Sequence, residues 1–165
     1  MGSVFRSEIR SVDFRKGRTY RFSVDVNFDA GTTSSNRTTF FQIHQYKRGS
    51  CTSCGPAVII KTNGNGSVTA SVLKPNRHHS DRNLGLTRSQ IAGKWTTFTI
   101  ELGTNDGMNP LTIYANGRAV YSGQAYVEPK GSIYLKSGLY RPGSTTRTLP
   151  TDRVSIRKLR FETVK

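Results

Sequence analysis

Acid is scarce in this chain. Ten Asp and Glu stand against 25 Lys and Arg, for a formal charge of +15 over 165 residues. A field of that sign attracts polyanions. Nucleic acid, acidic polysaccharide and anionic membrane surfaces therefore remain as partner classes. Cysteine is nearly absent: Cys51 and Cys54 stand in Cys-Thr-Ser-Cys and there are no others. A zinc site would need two more ligands, and the adjacent His78 and His79 lack the spacing of paired histidine ligands. No metal and no cofactor is expected. A redox pair belongs in a strand-to-helix turn, which the surrounding sequence does not offer. A disulfide pinning a loop, or two free thiols, remains. Long apolar runs are missing as well, so no membrane-spanning helix is expected. Repeats and linkers are also missing, and one domain over residues 1–165 is the natural reading.

Helical periodicity is nearly lacking, and only Leu86 to Ala92 reads as a short helical turn. Short runs of period-two alternation are abundant. Tyr20, Phe22, Val24, Val26 and Phe28 are apolar with polar residues between them. Phe98, Ile100 and Leu102 alternate with Thr97, Thr99 and Glu101. Asn63-Gly64-Asn65-Gly66 and Asn116-Gly117 read as hairpin turns. Val154, Ile156, Leu159 and Phe161 make a closing strand. Many short strands without alternating helices predict an all-β protein, an antiparallel β-sandwich or jelly roll. The basic stretch from Lys74 to Arg88 reads as a long surface loop overhanging a cleft.

Three strands carry unusual chemistry on one parity. Successive side chains of a strand point to opposite faces. In Ser132 to Arg141, Tyr134, Lys136 and Tyr140 share a face, while Ile133, Leu135 and Leu139 take the other. In Phe40 to Tyr46, Gln42, His44 and Tyr46 share a face, which offers an amide, a titratable imidazole and a phenol. In the first strand, Arg6, Glu8 and Arg10 share a face, with the acid placed to orient the two guanidinium groups. Taken singly, each strand also reads as an ordinary solvated sheet face. Together in one small basic domain they point to a site.

In that order, Arg-Ser-Glu-Ile-Arg, Gln-Ile-His and Tyr-Leu-Lys-Ser-Gly-Leu-Tyr resemble the signature strands of family 7 alginate lyases. They are also similar to those of glucuronan lyases and heparin lyase I. The segment from Gly93-Lys94-Trp95 through Asn116-Gly117-Arg118 resembles the middle of the same group, so the likeness covers nearly the whole chain. Arg141-Pro142 follows the last Tyr where alginate lyases carry Asn or Gln, closer to the glucuronan and heparin lyase branch. The resemblance implies a β-jelly roll with a concave substrate-binding face and β-elimination on a uronate polymer. It implies Arg10 and Gln42 on the substrate carboxylate and His44 as general base or polarising partner. Tyr140 would be general acid, and base as well if His44 does not reach. Arg6, Lys136, Tyr134, Tyr46 and Arg141 would bind flanking sugars. The expected partner is an acidic polysaccharide, alginate or glucuronan, met by a monomeric secreted protein. Neither a membrane nor a nucleic-acid partner is expected, since no ribonucleoprotein motif or recognition helix is present. The alternatives are a non-catalytic module for acidic polysaccharide on the same fold and a nucleic-acid-binding protein.

Overall fold

The structure, a computed structural model, describes residues 3–29, 37–46, 55–129, 132–144 and 153–164. Cys51 and Cys54 lie outside the described residues. Eleven strands and one short helix run in the order β1 (Ser3–Arg10), β2 (Thr19–Phe28), β3 (Thr38–Tyr46), β4 (Val58–Thr62), β5 (Ser67–Leu73), β6 (His79–Thr87), α1 (Arg88–Ile91), β7 (Thr96–Gly103), β8 (Gly107–Ala115), β9 (Arg118–Val127), β10 (Ser132–Ser144) and β11 (Val154–Thr163). They form two antiparallel sheets, ordered β1-β10-β3-β4-β5-β6 and β11-β2-β7-β8-β9. This is the expected β-sandwich.

Alternation explains the core. Tyr20, Phe22, Val24, Val26 and Phe28 of β2 and Phe98, Ile100 and Leu102 of β7 are buried between the sheets. Phe41, Ile43, Ile133 and Leu135 face them from the six-stranded sheet. Phe40 bridges the layers, with its ring 5.1 Å edge-on to Phe28 and 5.1 Å from Phe98. Ser137, which interrupts the apolar parity of β10, is buried and donates its hydroxyl to the Phe40 carbonyl at 2.9 Å. The Asn116-Gly117 turn joins β8 to β9 with φ of 50° and 80°, the left-handed pair that a two-residue hairpin needs.

The stretch expected as a loop after Lys74 instead contains β6, paired with β5 from Leu73↔His79 to Ser67↔Thr87. It sits at the sheet's outer edge, and Leu84 is its one buried residue. An edge strand with one face in water needs little apolar sequence, so His79-Ser-Asp-Arg-Asn reads like a loop. The helix is confined to Arg88–Ile91, and its entry is capped by the Gln90 side-chain oxygen, which accepts from the Thr87 N–H at 2.8 Å.

The outer face of the five-stranded sheet consumes its own charge. Arg21 bridges Glu101 and Glu162, each at 3.0 Å. Asp25 is buried, accepts from the Thr97 hydroxyl at 2.6 Å and from Arg157 at 3.0 Å, and has Lys158 at 3.6 Å. The Thr97 hydrogen bond first, and then the Arg157 and Lys158 cations, hold the Asp25 carboxyl below the usual carboxylate range against the opposing effect of burial. A depressed carboxyl stabilises the fold above its unfolded value and stops doing so as pH falls through its folded value. Asp25→Asn should therefore lose about 1–2 kcal/mol at pH 7. The gap to the parent should close as the pH drops below about 4 in thermal melts.

A candidate active site on the six-stranded sheet

The three chemistry-bearing strands are neighbours, in the order β1-β10-β3 at one end of the sheet. Their register puts Arg10 opposite Lys136 and Lys136 opposite Gln42. Tyr134 lies opposite His44, Glu8 opposite Gly138, and Arg6 opposite Tyr140. Directly opposed residues of an antiparallel pair share a face. The polar parity of all three strands is thus gathered on the open face of this sheet, with the core on the other side. Tyr46 stands at the end of β3 opposite Ser132 and is exposed. Arg141 pairs with Phe5, one register position off the Arg6–Tyr140 pair. The side chains of Arg6 and Arg141 lie outside the described ones.

Glu8 lies under the centre of this face. Its side chain is 5% exposed, and its carboxylate accepts from the Gln42 amide at 2.5 Å and lies 4.0 Å from the Lys136 ammonium. One acid from β1 thereby links β10 and β3. Glu8 was expected to orient the arginines, and the side chain of one of the two, Arg6, lies outside the described ones. The Arg10 guanidinium pairs with Asp13 at 2.7 Å, in the segment just after the strand. The Gln42 amide spends one hydrogen on Glu8, which fixes its orientation and leaves its second hydrogen for a ligand.

Tyr134 is buried, and both faces of its ring are covered. The Arg10 guanidinium carbon sits 4.1 Å above the ring centroid. The His44 imidazole stacks at a centroid separation of 5.0 Å and an interplanar angle of 17°. The ring therefore has no face left to stack on a sugar. It is a plate against which a guanidinium and an imidazole are set, with a cation–π contact on the Arg10 side. His44 Nδ1 lies 2.8 Å from the Gln45 carbonyl oxygen. A carbonyl only accepts, so in the neutral ring Nδ1 keeps the proton and Nε2 carries the basic lone pair.

Tyr140 stands apart from His44 along the sheet. An irregularity between Ser137 and Tyr140, with Gly138 at φ 145°, shifts the register so that Tyr140 pairs with Thr39. Thr39 and His44 are five residue steps apart on β3, roughly 16 Å of extended backbone. The site thus has two poles, His44 and Tyr140, with Gln42 and Lys136 between them on the same face.

One cluster escaped the sequence reading. Lys61 of β4 lies opposite Thr39 and shares the open face. Its side chain is buried, and its ammonium binds both oxygens of Asp81, at 2.9 and 2.7 Å. Asp81 also accepts from Ser71. Burial lowers the Lys61 pKa below the ordinary lysine value despite Asp81. For half-exposed Asp81, burial acts upward, but the bonds from Lys61 and Ser71 outweigh it and hold the carboxyl low. The available signal was a lone lysine in the apolar run Ala57-Val58-Ile59-Ile60.

Removing the central carboxylate should destabilise as well as misalign. Glu8→Ala removes the acceptor of the buried Gln42 amide and a counter-charge 4.0 Å from the nearly buried Lys136 ammonium, at a cost of about 2–3 kcal/mol. That predicts a fall in Tm of roughly 5–10 °C by calorimetry. Tyr134→Leu should keep the fold while releasing Arg10 and His44, seen as sharper rotamer averaging of the His44 ring signals in NMR.

Solved structures share this architecture. An alginate lyase from Pseudomonas aeruginosa is 19% identical with a TM-score of 0.66, over 89% of this chain and 65% of that one. The alginate lyase AlyC3 is 18% identical with a TM-score of 0.71, over 98% of this chain and 75% of that one. The family 7 alginate lyase A1-II' is 18% identical with a TM-score of 0.69, over 96% and 71%. At these identities the likeness is one of fold, and this chain spans about two thirds to three quarters of their lengths. A search of curated proteins found no match. The family model described as polysaccharide lyase matches residues 3–155, nearly the entire chain, and the chain therefore belongs to the polysaccharide lyase family.

Proposed function

We propose that this protein cleaves a uronate-containing polysaccharide, alginate or glucuronan, by β-elimination. The observation that carries the reading is the shared face of β1, β10 and β3, where Arg10, Lys136, Gln42, His44 and Tyr140 stand in register on a strongly basic chain. The reaction removes the proton at C5, next to the carboxylate. The released electron pair forms the C4–C5 double bond, the C4–oxygen bond breaks, and the leaving oxygen takes a proton. The obstacle is the second negative charge that builds on the carboxylate side as C5 loses its proton. Arg10 and the remaining Gln42 amide hydrogen bind and neutralise that carboxylate, as donors aimed at growing charge do. Lys136 adds its cation from the middle of the site.

His44, with its basic Nε2 directed by the Gln45 carbonyl, is the general base or the group that polarises the acid. Tyr140 protonates the leaving oxygen, and serves as base too where a substrate leaves His44 out of reach. A sugar acid held at Gln42 and Lys136 lies between the strand positions of these two groups. Tyr46, at the exposed end of β3, and Arg6, whose side chain lies outside the described ones, take flanking sugars, whereas Arg141 stands one position off this parity. Polymers of this kind lie outside cells, and a secreted setting goes with the reading.

A panel of alginate, glucuronan, heparin and hyaluronan, followed by the ultraviolet absorbance of the unsaturated uronate product, tests the activity and selects the polymer. On the polymer that responds, Tyr140→Phe and His44→Ala should each lower kcat by about 10²–10⁴-fold, with circular dichroism unchanged. Full turnover in both variants would remove the two residues from the mechanism. No product from any polymer would remove the activity.

A further inference from the structure

Beyond the site, a cleft of about 630 Å³ opens where β6, α1 and the β8–β9 hairpin meet. Its polar lining is Asn83, Gln90, Lys94, Thr96, Asn116 and Arg118, and no acid is among the lining residues. The three amides are not free to turn. The Asn83 oxygen accepts from the Gly85 N–H at 2.9 Å, the Gln90 oxygen from the Thr87 N–H at 2.8 Å, and the Asn116 oxygen from the Thr97 N–H at 2.9 Å. With each oxygen bound to backbone, each amide is left with its NH₂ end, which only donates. Lys94 and Arg118 are exposed, and among the described residues neither pairs with an acid. The polar chemistry of this cleft is therefore dominated by donors: three NH₂ groups, an ammonium and a guanidinium, beside the buried Thr96. Such a set complements an anion and is mismatched to a cation or a lone acceptor-poor ligand.

The cleft also adjoins the open face of the six-stranded sheet. A row of register partners runs from Tyr140 through Thr39, Lys61 and Thr69 to Asn83. Four ladder steps separate its ends, roughly 19 Å. Only a chain of several sugars reaches from one to the other. Lys61 in this row is already neutralised by Asp81, and at the far end of the row the cleft supplies Lys94 and Arg118.

We propose that this cleft is a second binding site for the anionic polysaccharide, taking a uronate carboxylate on Lys94 and Arg118 and the amide hydrogens of Asn83, Gln90 and Asn116. It rests on reading the substrate as a polyuronate, and it needs no chemistry at His44 or Tyr140. Its consequence is length selection: long chains gain an anchor that short products lack, so products leave while the polymer stays.

The test compares Lys94→Glu/Arg118→Glu with a control, Arg18→Glu/Arg153→Glu, which reverses the same amount of charge at exposed positions outside the cleft. Calorimetric binding is measured to polymannuronate, to glucuronan and to a uronate trisaccharide, beside turnover on whichever polymer is cleaved. The cleft variant should bind the polymer about tenfold more weakly and raise its KM to match. Its kcat and its trisaccharide binding should stay at the parent level, and the control should stay within about twofold throughout. Equal losses in the two variants would show a diffuse field with no built site, and unchanged polymer binding in the cleft variant would also overturn the proposal. Because binding is read apart from turnover, a parent protein that binds polyuronate without cleaving it leaves this test intact and removes only the catalytic reading.

Discussion

A single carboxylate holds the functional face together. Glu8 is the one acid in β1, β3 and β10, and it is buried where the three strands meet. A sheet face dense in cations repels itself, and burial sharpens the repulsion by lowering the effective dielectric. Placing the Glu8 counter-charge beneath the surface lets Lys136 sit between Arg10 and Gln42, while the half-exposed Asp13 answers the Arg10 guanidinium from the segment after the strand. The same carboxylate takes one amide hydrogen from Gln42 and so decides which way that amide points. Stability and ligand geometry are thus set by the same contact, and a change at Glu8 cannot alter one without the other.

The sequence carried the architecture because parity is a local property. The alternation of β2 and β7, the Asn116-Gly117 turn and the split faces of β3 and β10 each follow from residues within a few positions of one another. What escaped depends on partners brought in from elsewhere. β6 reads as a loop because an edge strand buries one residue, Leu84, and draws its order from pairing with β5. The Glu8 carboxylate meets Gln42 because β10 lies between their strands. Nothing local chooses that partner, and the pairing of Arg10 with Asp13 comes from the chain's path after β1. Tyr134 looks like a surface tyrosine until its neighbours Arg10 and His44 are laid over its two faces. The Lys61–Asp81 pair needs two hairpins to form. Residue type and parity were legible, whereas side-chain partnership across strands was not.

Net charge alone says little about where a polyanion would bind, because the charge is distributed unevenly between compensated and uncompensated groups. The outer face of the five-stranded sheet has arginines, yet Arg21 is bridged to two glutamates and Arg157 to Asp25, with Trp95 beneath the guanidinium at 4.1 Å. Those cations are spent on the fold. On the six-stranded sheet, Lys61 is likewise spent on Asp81. At the Arg10–Lys136 end of the open face two cations stand against the half-exposed Asp13 and the buried Glu8, and the donor-lined cleft by β6 carries Lys94 and Arg118 with no acid in its lining. Two such regions at opposite ends of one sheet match an extended ligand better than a compact one, since a small anion has no use for a second site roughly 19 Å away.

The stacking of Arg10, Tyr134 and His44 gives this arrangement its rigidity. A guanidinium on a long stem and an imidazole at a strand surface each lose considerable rotamer freedom when they bind a ligand. A buried ring that contacts both on opposite faces removes much of that freedom during folding instead. The phenol's flat faces suit the planar groups on either side, and its place directly opposite His44 in the ladder makes the near-parallel stack a consequence of strand register. Register therefore does more here than close the sheet: it aligns three planar side chains so that one cation and one base face the same ligand already oriented.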